Sequence, residues 1–137
     1  MITILHYFNG MNIPVKKKKN KHPESELQRA CVKWFRMQYP NLLLFSIPNG
    51  AATTQLQRQF LAAEGAMPGA ADLLFAFRNK TFAGLFIEMK SEDGEQTEKQ
   101  KYFQLRAISS GYDYKICRTF DEFKREIDNF ISPLFLR

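Results

Sequence analysis

Two apolar runs, Asp72–Phe77 and Phe82–Met89, flank the polar tetrapeptide Arg78-Asn79-Lys80-Thr81. Runs of this length bounded by turn-forming residues predict an antiparallel β-hairpin. A turn on Asn79-Lys80-Thr81 sets the register, with Arg78 opposite Phe82 and, carried back along both strands, Asp72 opposite Glu88. Directly opposed Cβ atoms in an antiparallel pair lie roughly 5 Å apart. Side chains alternate along a strand, so Glu88 and Lys90 share one face, about 7 Å apart along the chain. Two carboxylates and a lysine therefore converge on one surface of one hairpin.

The rest of the chain surrounds that hairpin with alternating elements. Pro23 opens a helix in which Leu27, Ala30, Cys31, Trp34 and Met37 recur at helical spacing until Pro40. Leu42–Ile47, ending at the turn signal Pro48-Asn49-Gly50, reads as a buried strand. Gln55–Glu64 is a second helix closed by Gly65. After the hairpin and the acidic loop Ser91–Glu95, a third helix starts at Gln96 or Thr97. It carries Phe103, Leu105, Ala107 and Ile108 and ends at Gly111, followed by a fourth strand over Tyr112–Cys117. A last helix runs from Phe120 to Ile131 and stops before Pro133. The order α-β-α-β-β-α-β-α implies an α/β domain with a mixed sheet flanked by helices, because the third-to-fourth strand connection passes through a helix and is a parallel crossover.

Composition narrows the chemistry. The chain has 137 residues, sized for a single domain, with Lys and Arg outnumbering Asp and Glu by 20 to 14 for a net charge of +6. Such a balance favours a polyanionic partner. Much of the excess sits in Lys16-Lys17-Lys18-Lys19-Asn20-Lys21, so residues 1–22 read as a basic, flexible tail ahead of a domain over 23–137. The two histidines, His6 and His22, lie near the N-terminus, and the two cysteines, Cys31 and Cys117, sit among apolar neighbours as reduced core residues. A structural zinc site, HNH-type chemistry and a histidine nucleophile are thereby excluded. No signal peptide is legible and no run approaches the ~20 apolar residues of a membrane span, so a cytoplasmic protein without membrane partners is expected.

The flanks of the Glu88-x-Lys90 pair decide how it is read. On a solvated strand such a pair is an ordinary ion pair. Here Leu73, Leu74, Phe75, Phe86 and Ile87 surround it, and ionised carboxylates in apolar surroundings are costly unless a metal or partner compensates. Helix one contributes a third acid. Glu24 lies seven residues before Cys31, at the edge of the apolar stripe, whereas Glu26 lies about 200° around the helix, towards solvent. Gln100, on the inward face of the third helix with Phe103, is placed to steady the lysine or an attacking water. Glu24, Asp72, Glu88, Lys90 and Gln100 are the candidate catalytic residues.

These residues, with Leu27-Gln28, Pro48-Asn49-Gly50 and Gly65-x-x-Pro68-Gly69, resemble the VRR-NUC (virus-type replication-repair nuclease) family of the PD-(D/E)xK superfamily. The resemblance runs from about Glu24 to Ile131. Ala70-Ala71 stand before the Asp where the family often has a bulkier residue or a second proline, a departure outside the reactive side chains. The resemblance implies a restriction-endonuclease-like fold and a nuclease of phage or bacterial replication and repair. It implies Mg²⁺ or Mn²⁺ held by Glu24, Asp72, Glu88 and the Met89 backbone carbonyl, with Lys90 as catalytic lysine and Gln100 as accessory glutamine. It also implies hydrolysis to a 5′-phosphate, a branched DNA substrate such as a four-way (Holliday) junction, and a homodimer. The tail lysines Lys16, Lys17, Lys18, Lys19 and Lys21, with Asn49 and Arg58, are the expected DNA contacts. Three rival readings remain at this point: a nicking or restriction-type enzyme on linear duplex, a non-catalytic DNA-binding module of the same fold, and a plain basic scaffold whose DNA affinity comes from the tail alone.

Overall fold

A computed structural model describes residues 22–48 and 54–135, without the side chains of 133–135. Lys16–Lys21 and Asn49 lie outside these residues. The described elements are α1 (Pro23–Gln38), β1 (Leu44–Ser46), α2 (Gln55–Ala63), β2 (Leu73–Phe75), β3 (Leu85–Met89), α3 (Glu98–Ser109), β4 (Asp113–Cys117) and α4 (Phe120–Phe135). The sheet has four strands in the order β1-β2-β3-β4, with β1, β2 and β3 antiparallel and β4 parallel to β3. This is the mixed α/β arrangement expected from the element order.

The hairpin register is the one its turn dictates. Leu73 pairs with Ile87 and Phe75 with Leu85, which places Asp72, just ahead of β2, across from Glu88. Asn79 makes the turn: its backbone N–H donates to the Phe82 carbonyl, and its Oδ1 accepts from the N–H groups of Thr81 and Phe82. An Asx-type turn of this kind suits Asn, whose short side chain mimics a backbone carbonyl.

Alternation along β3 separates two cores. Leu85, Ile87 and Met89 are buried with Cys31 and Phe35 of α1 and Phe123 of α4. Phe86 points the other way and packs with Phe103, Ala107 and Tyr114 beneath α3. Glu88 and Lys90 are on this second face, and both are buried, at 3% and 8% exposure.

Four expectations need correction. β1 is the edge strand rather than a buried one, with only Leu44 covered and Phe45 43% exposed, because among the described residues no strand pairs with its outer side. In α1 the buried positions are Cys31 and Phe35, while Ala30 and Met37 lie about a quarter turn or more off that face and are exposed. In α3, Phe103 and Ala107 face the sheet, but Leu105 and Ile108 sit 140–200° around the helix, by roughly 100° per residue, and are solvent-exposed. Counting apolar residues without their phase caused both errors. Finally, α4 continues past Pro133 to Phe135. Pro133 cannot donate to the carbonyl four residues back, so one ladder hydrogen bond is lost, but only two residues follow it in the helix.

Candidate active site

The site forms where β2 begins and β3 ends. Asp72 Oδ2 accepts the Met89 N–H at 2.7 Å, and the Asp72 carboxyl is close enough to Glu88 for its charge to act on it. A strand residue's N–H and C=O point to the same edge, so the Met89 carbonyl is directed towards the Asp72 side as well. The next residue turns the other way: the Lys90 N–H donates to the Cys117 carbonyl of the β4 strand.

Glu24 arrives from the opposite layer. It lies on the same stripe of α1 as Cys31 and Phe35, seven and eleven residues on, and its Oε1 accepts the Ser91 N–H at 3.2 Å just beyond β3. Its charge is near enough to raise the Asp72 pKa. Glu26, on the other side of the helix, is exposed. The Lys90 Nζ lies 3.9 Å from Glu88 Oε1.

Gln100 is placed differently from the sequence expectation. Its Nε2 donates to Glu88 Oε1 at 2.8 Å, and its Oε1 accepts the Thr97 N–H as half of a capping box. It thus orients the carboxylate rather than the lysine, and the helix cap holds the glutamine itself in place.

Two further residues were not found from the sequence. Tyr114, buried on β4, donates its hydroxyl towards Glu88 Oε2 at 3.5 Å and accepts from Gln96 Nε2, which also bonds Gln104. The parallel pairing of Phe86 with Tyr114 places that ring beside Glu88, a neighbour that no local periodicity reveals. Arg118 Nη1 donates to the carbonyls of Ser91, Glu92 and Gly94 and clamps the loop that carries Glu24's partner. The pairing of Met89 with Cys117 puts Arg118 there, so its position too depends on sheet order. Among the described residues, no buried side-chain nitrogen or oxygen lacks a partner.

The electrostatics are those of crowded acids in a dry setting. Burial, then the charge of Asp72, pushes Glu88 from the usual carboxylate range to about 8. Burial also raises Asp72, against the lowering effect of the Met89 N–H. Tyr114 is raised as well, by burial and then by Glu88. The nearby Lys90 only partly offsets these effects on Glu88. Among the described residues, no group of three Asp, Glu, His or Cys side chains is placed to hold a metal ion by itself. Even so, the donor types suit a hard cation: two neighbouring carboxyls, a backbone carbonyl on the Asp72 side, and a third carboxylate within electrostatic reach.

A groove of about 730 Å³ opens from the site between α1 and β1, with Glu24 and Asp72 among its lining residues. Arg58 is on α2, none of whose residues is buried, and it does not line this groove.

No protein-family model matches the chain, and no curated protein matches it in sequence. Among solved structures, a chain described as "VRR_NUC domain protein" is similar to it with a TM-score of 0.67 at 19% identity, over 80% of this chain and 88% of that one. At that identity the likeness speaks to architecture, and the architecture is that of a VRR-NUC domain: a four-stranded mixed sheet flanked by helices in the order α-β-α-β-β-α-β-α.

Proposed function

We propose that the protein is a divalent-metal-dependent DNA endonuclease with Asp72 and Glu88 at its centre. One observation carries the reading: two acids stand opposite each other across the hairpin, Glu88 at 3% exposure, with Lys90 on the same face. Burying two carboxyls together is unfavourable for a structural role, since either ionised form is desolvated and both repel. Binding a cation makes that arrangement useful.

Asp72, Glu88, Glu24 and the Met89 carbonyl would hold Mg²⁺ or Mn²⁺. Such an ion, when bound, polarises a phosphodiester oxygen and lowers the pKa of a bound water. Gln100 and Tyr114 fix the two oxygens of Glu88, so the carboxylate needs no reorganisation during the reaction. Lys90 lies within reach of the same face, where it orients the attacking water or stabilises charge developing on the phosphate. In-line attack of that water on phosphorus breaks the bond to the 3′ oxygen, leaving a 5′-phosphate and a 3′-hydroxyl.

The substrate we favour is branched DNA, foremost a four-way junction, with two copies of the chain supplying the two incisions. The direct test is incubation of labelled junction, fork, flap and linear duplex with Mg²⁺, Mn²⁺ or EDTA. Cleavage that needs the cation and disappears in Asp72→Ala and Glu88→Ala is expected. Cleavage that survives either change at the wild-type rate sinks the assignment, and preferential cutting of linear duplex replaces the junction with a nicking or restriction-type substrate.

A further inference from the structure

The groove beside the acids has its own chemistry. Arg29, Lys33 and Arg36 line it from α1, and Glu24 and Asp72 line it too. Along the helix axis the three cations follow Glu24 by about 7.5, 13.5 and 18 Å. Each is exposed, and among the described residues none of them makes an ion pair. Beyond Glu26 the helix holds no acid, so Lys33 has one arginine four residues before it, another three residues after it, and no opposite charge at either spacing. Like charges so spaced destabilise a helix, and a face that only has to be wet mixes both signs. β1 turns Leu44 and Ser46 to this side of the sheet. Phe45 turns away: its register with Leu74, and that of Leu74 with Phe86, puts its side chain on the α3 face.

We propose that this stripe seats a duplex arm of the DNA substrate by its phosphates, with Arg29, Lys33 and Arg36 leading the backbone away from Glu24 and Asp72. The inference rests on the nuclease reading of that site and adds the face on which the substrate lies. A phosphate backbone relieves the repulsion within the stripe, and each cation that meets it releases counterions from the DNA. Duplex is the form that fits. Proteins that hold single strands join a cationic path to aromatic rings that stack on bases. This groove offers the cations without the ring, since Phe45, the one aromatic among its lining residues, faces α3. A duplex, whose bases are already stacked, needs only the phosphate contacts, which fix its position without reading its sequence. The stripe thus gives a reason for charge of one sign on the side of α1 away from Cys31 and Phe35, where the fold needs none.

Binding is measured without cleavage, by fluorescence anisotropy of a labelled blunt hairpin duplex in EDTA across a salt series, with the full chain. Glutamine is the replacement, because it removes the charge and keeps the helix propensity. Combined Arg29→Gln, Lys33→Gln and Arg36→Gln should weaken duplex binding at least about tenfold at low salt. It should also flatten the slope of log affinity against log salt by about 2.7, the counterion release from three duplex phosphates. Combined Lys99→Gln, Lys101→Gln and Arg106→Gln removes the same charge from exposed positions of α3. That variant should stay within about threefold of wild type, since charges far from the bound phosphates are screened. Far-ultraviolet circular dichroism checks that both surface variants fold. Unchanged affinity and slope in the α1 variant, or equal losses in the two variants, overturns the proposal, as does tighter wild-type binding of oligo(dT) of equal nucleotide count. The two readings fail separately: a wild type that binds duplex through the stripe but cuts no DNA with Mg²⁺ or Mn²⁺ refutes the nuclease alone. One that cuts branched DNA while the α1 variant binds unchanged refutes the stripe alone.

Discussion

Glu88 carries the clearest consequence at the scale of single residues, because its environment sets both its proton and its chemistry. Its carboxyl is raised to about 8, first by burial and then by Asp72. A folded-state pKa above the unfolded one stabilises the fold below the unfolded value, and that contribution disappears as pH climbs through the folded one. The metal-free protein should therefore lose thermal stability between about pH 4.5 and about 8. Glu88→Gln should flatten the fall, and scanning calorimetry of both proteins in EDTA across that range would read it. An identical decline in both would show that the Glu88 proton is not coupled to folding. Lys90 makes a different prediction. Its side chain stands 3.9 Å from Glu88 and its proposed work is in the transition state, so Lys90→Ala should leave DNA affinity near wild type and lower turnover by about 10²-fold. Binding and turnover falling together would make Lys90 a phosphate contact instead.

At the scale of elements, the first turn of α3 is the support for Glu88. Gly69 lets the preceding loop press against that turn: its φ is +83°, and a Cβ built there would lie 2.4 Å from the Lys99 carbonyl carbon and 2.8 Å from the Gln100 nitrogen. Both the backbone conformation and the close approach require glycine. Gly69→Ala should cost at least about 2 kcal/mol and displace the glutamine, so urea unfolding should shift while cleavage falls too. The capping box separates helix stability from site orientation. Thr97→Ala removes the Thr97 hydroxyl that accepts from the Gln100 N–H, a loss of about 1 kcal/mol with turnover mostly kept. Gln100→Ala gives up the cap and also the hydrogen bond to Glu88, so unfolding and cleavage assays should respond together. Equal activity in the two variants would mean that the glutamine serves the helix only.

At the scale of the whole molecule, the fold persists although the solved VRR-NUC chain shares 19% of its residues. What such a fold needs is a pattern: apolar alternation in β3, a stripe on α1, and turns that bring strand ends together. The lysine run Lys16–Lys21 lies outside the described residues, and its proposed part is in binding alone. Deleting residues 1–22 should weaken duplex DNA binding and flatten its salt slope by about 4.5, from five lysines, while single-turnover cleavage at saturating protein persists. Filter binding over a salt series, paired with a single-turnover assay, checks both halves. Loss of cleavage at saturation in a folded truncate would put the tail in the site or at a subunit contact.

The turn at Asn79, the register that sets Asp72 opposite Glu88, the shared face of Glu88 and Lys90, and the inward phase of Glu24 were all legible in the sequence. Each follows from backbone geometry over a few residues: a strand alternates, a helix advances about 100° per residue, and a short turn admits few registers. Tyr114 and Arg118, the edge position of β1, the exposed side of α3 and the basic groove were not legible as parts of a site. The stripe Arg29, Lys33, Arg36 has visible helical spacing, yet spacing alone does not say whether a cationic face borders acids or open water. Those outcomes depend on which strand lies beside which and which helix face is covered, contacts between residues far apart in the chain. Local propensity governs the first kind of feature because its causes lie within a turn or a strand; the second kind is decided only when the packed layers choose their neighbours.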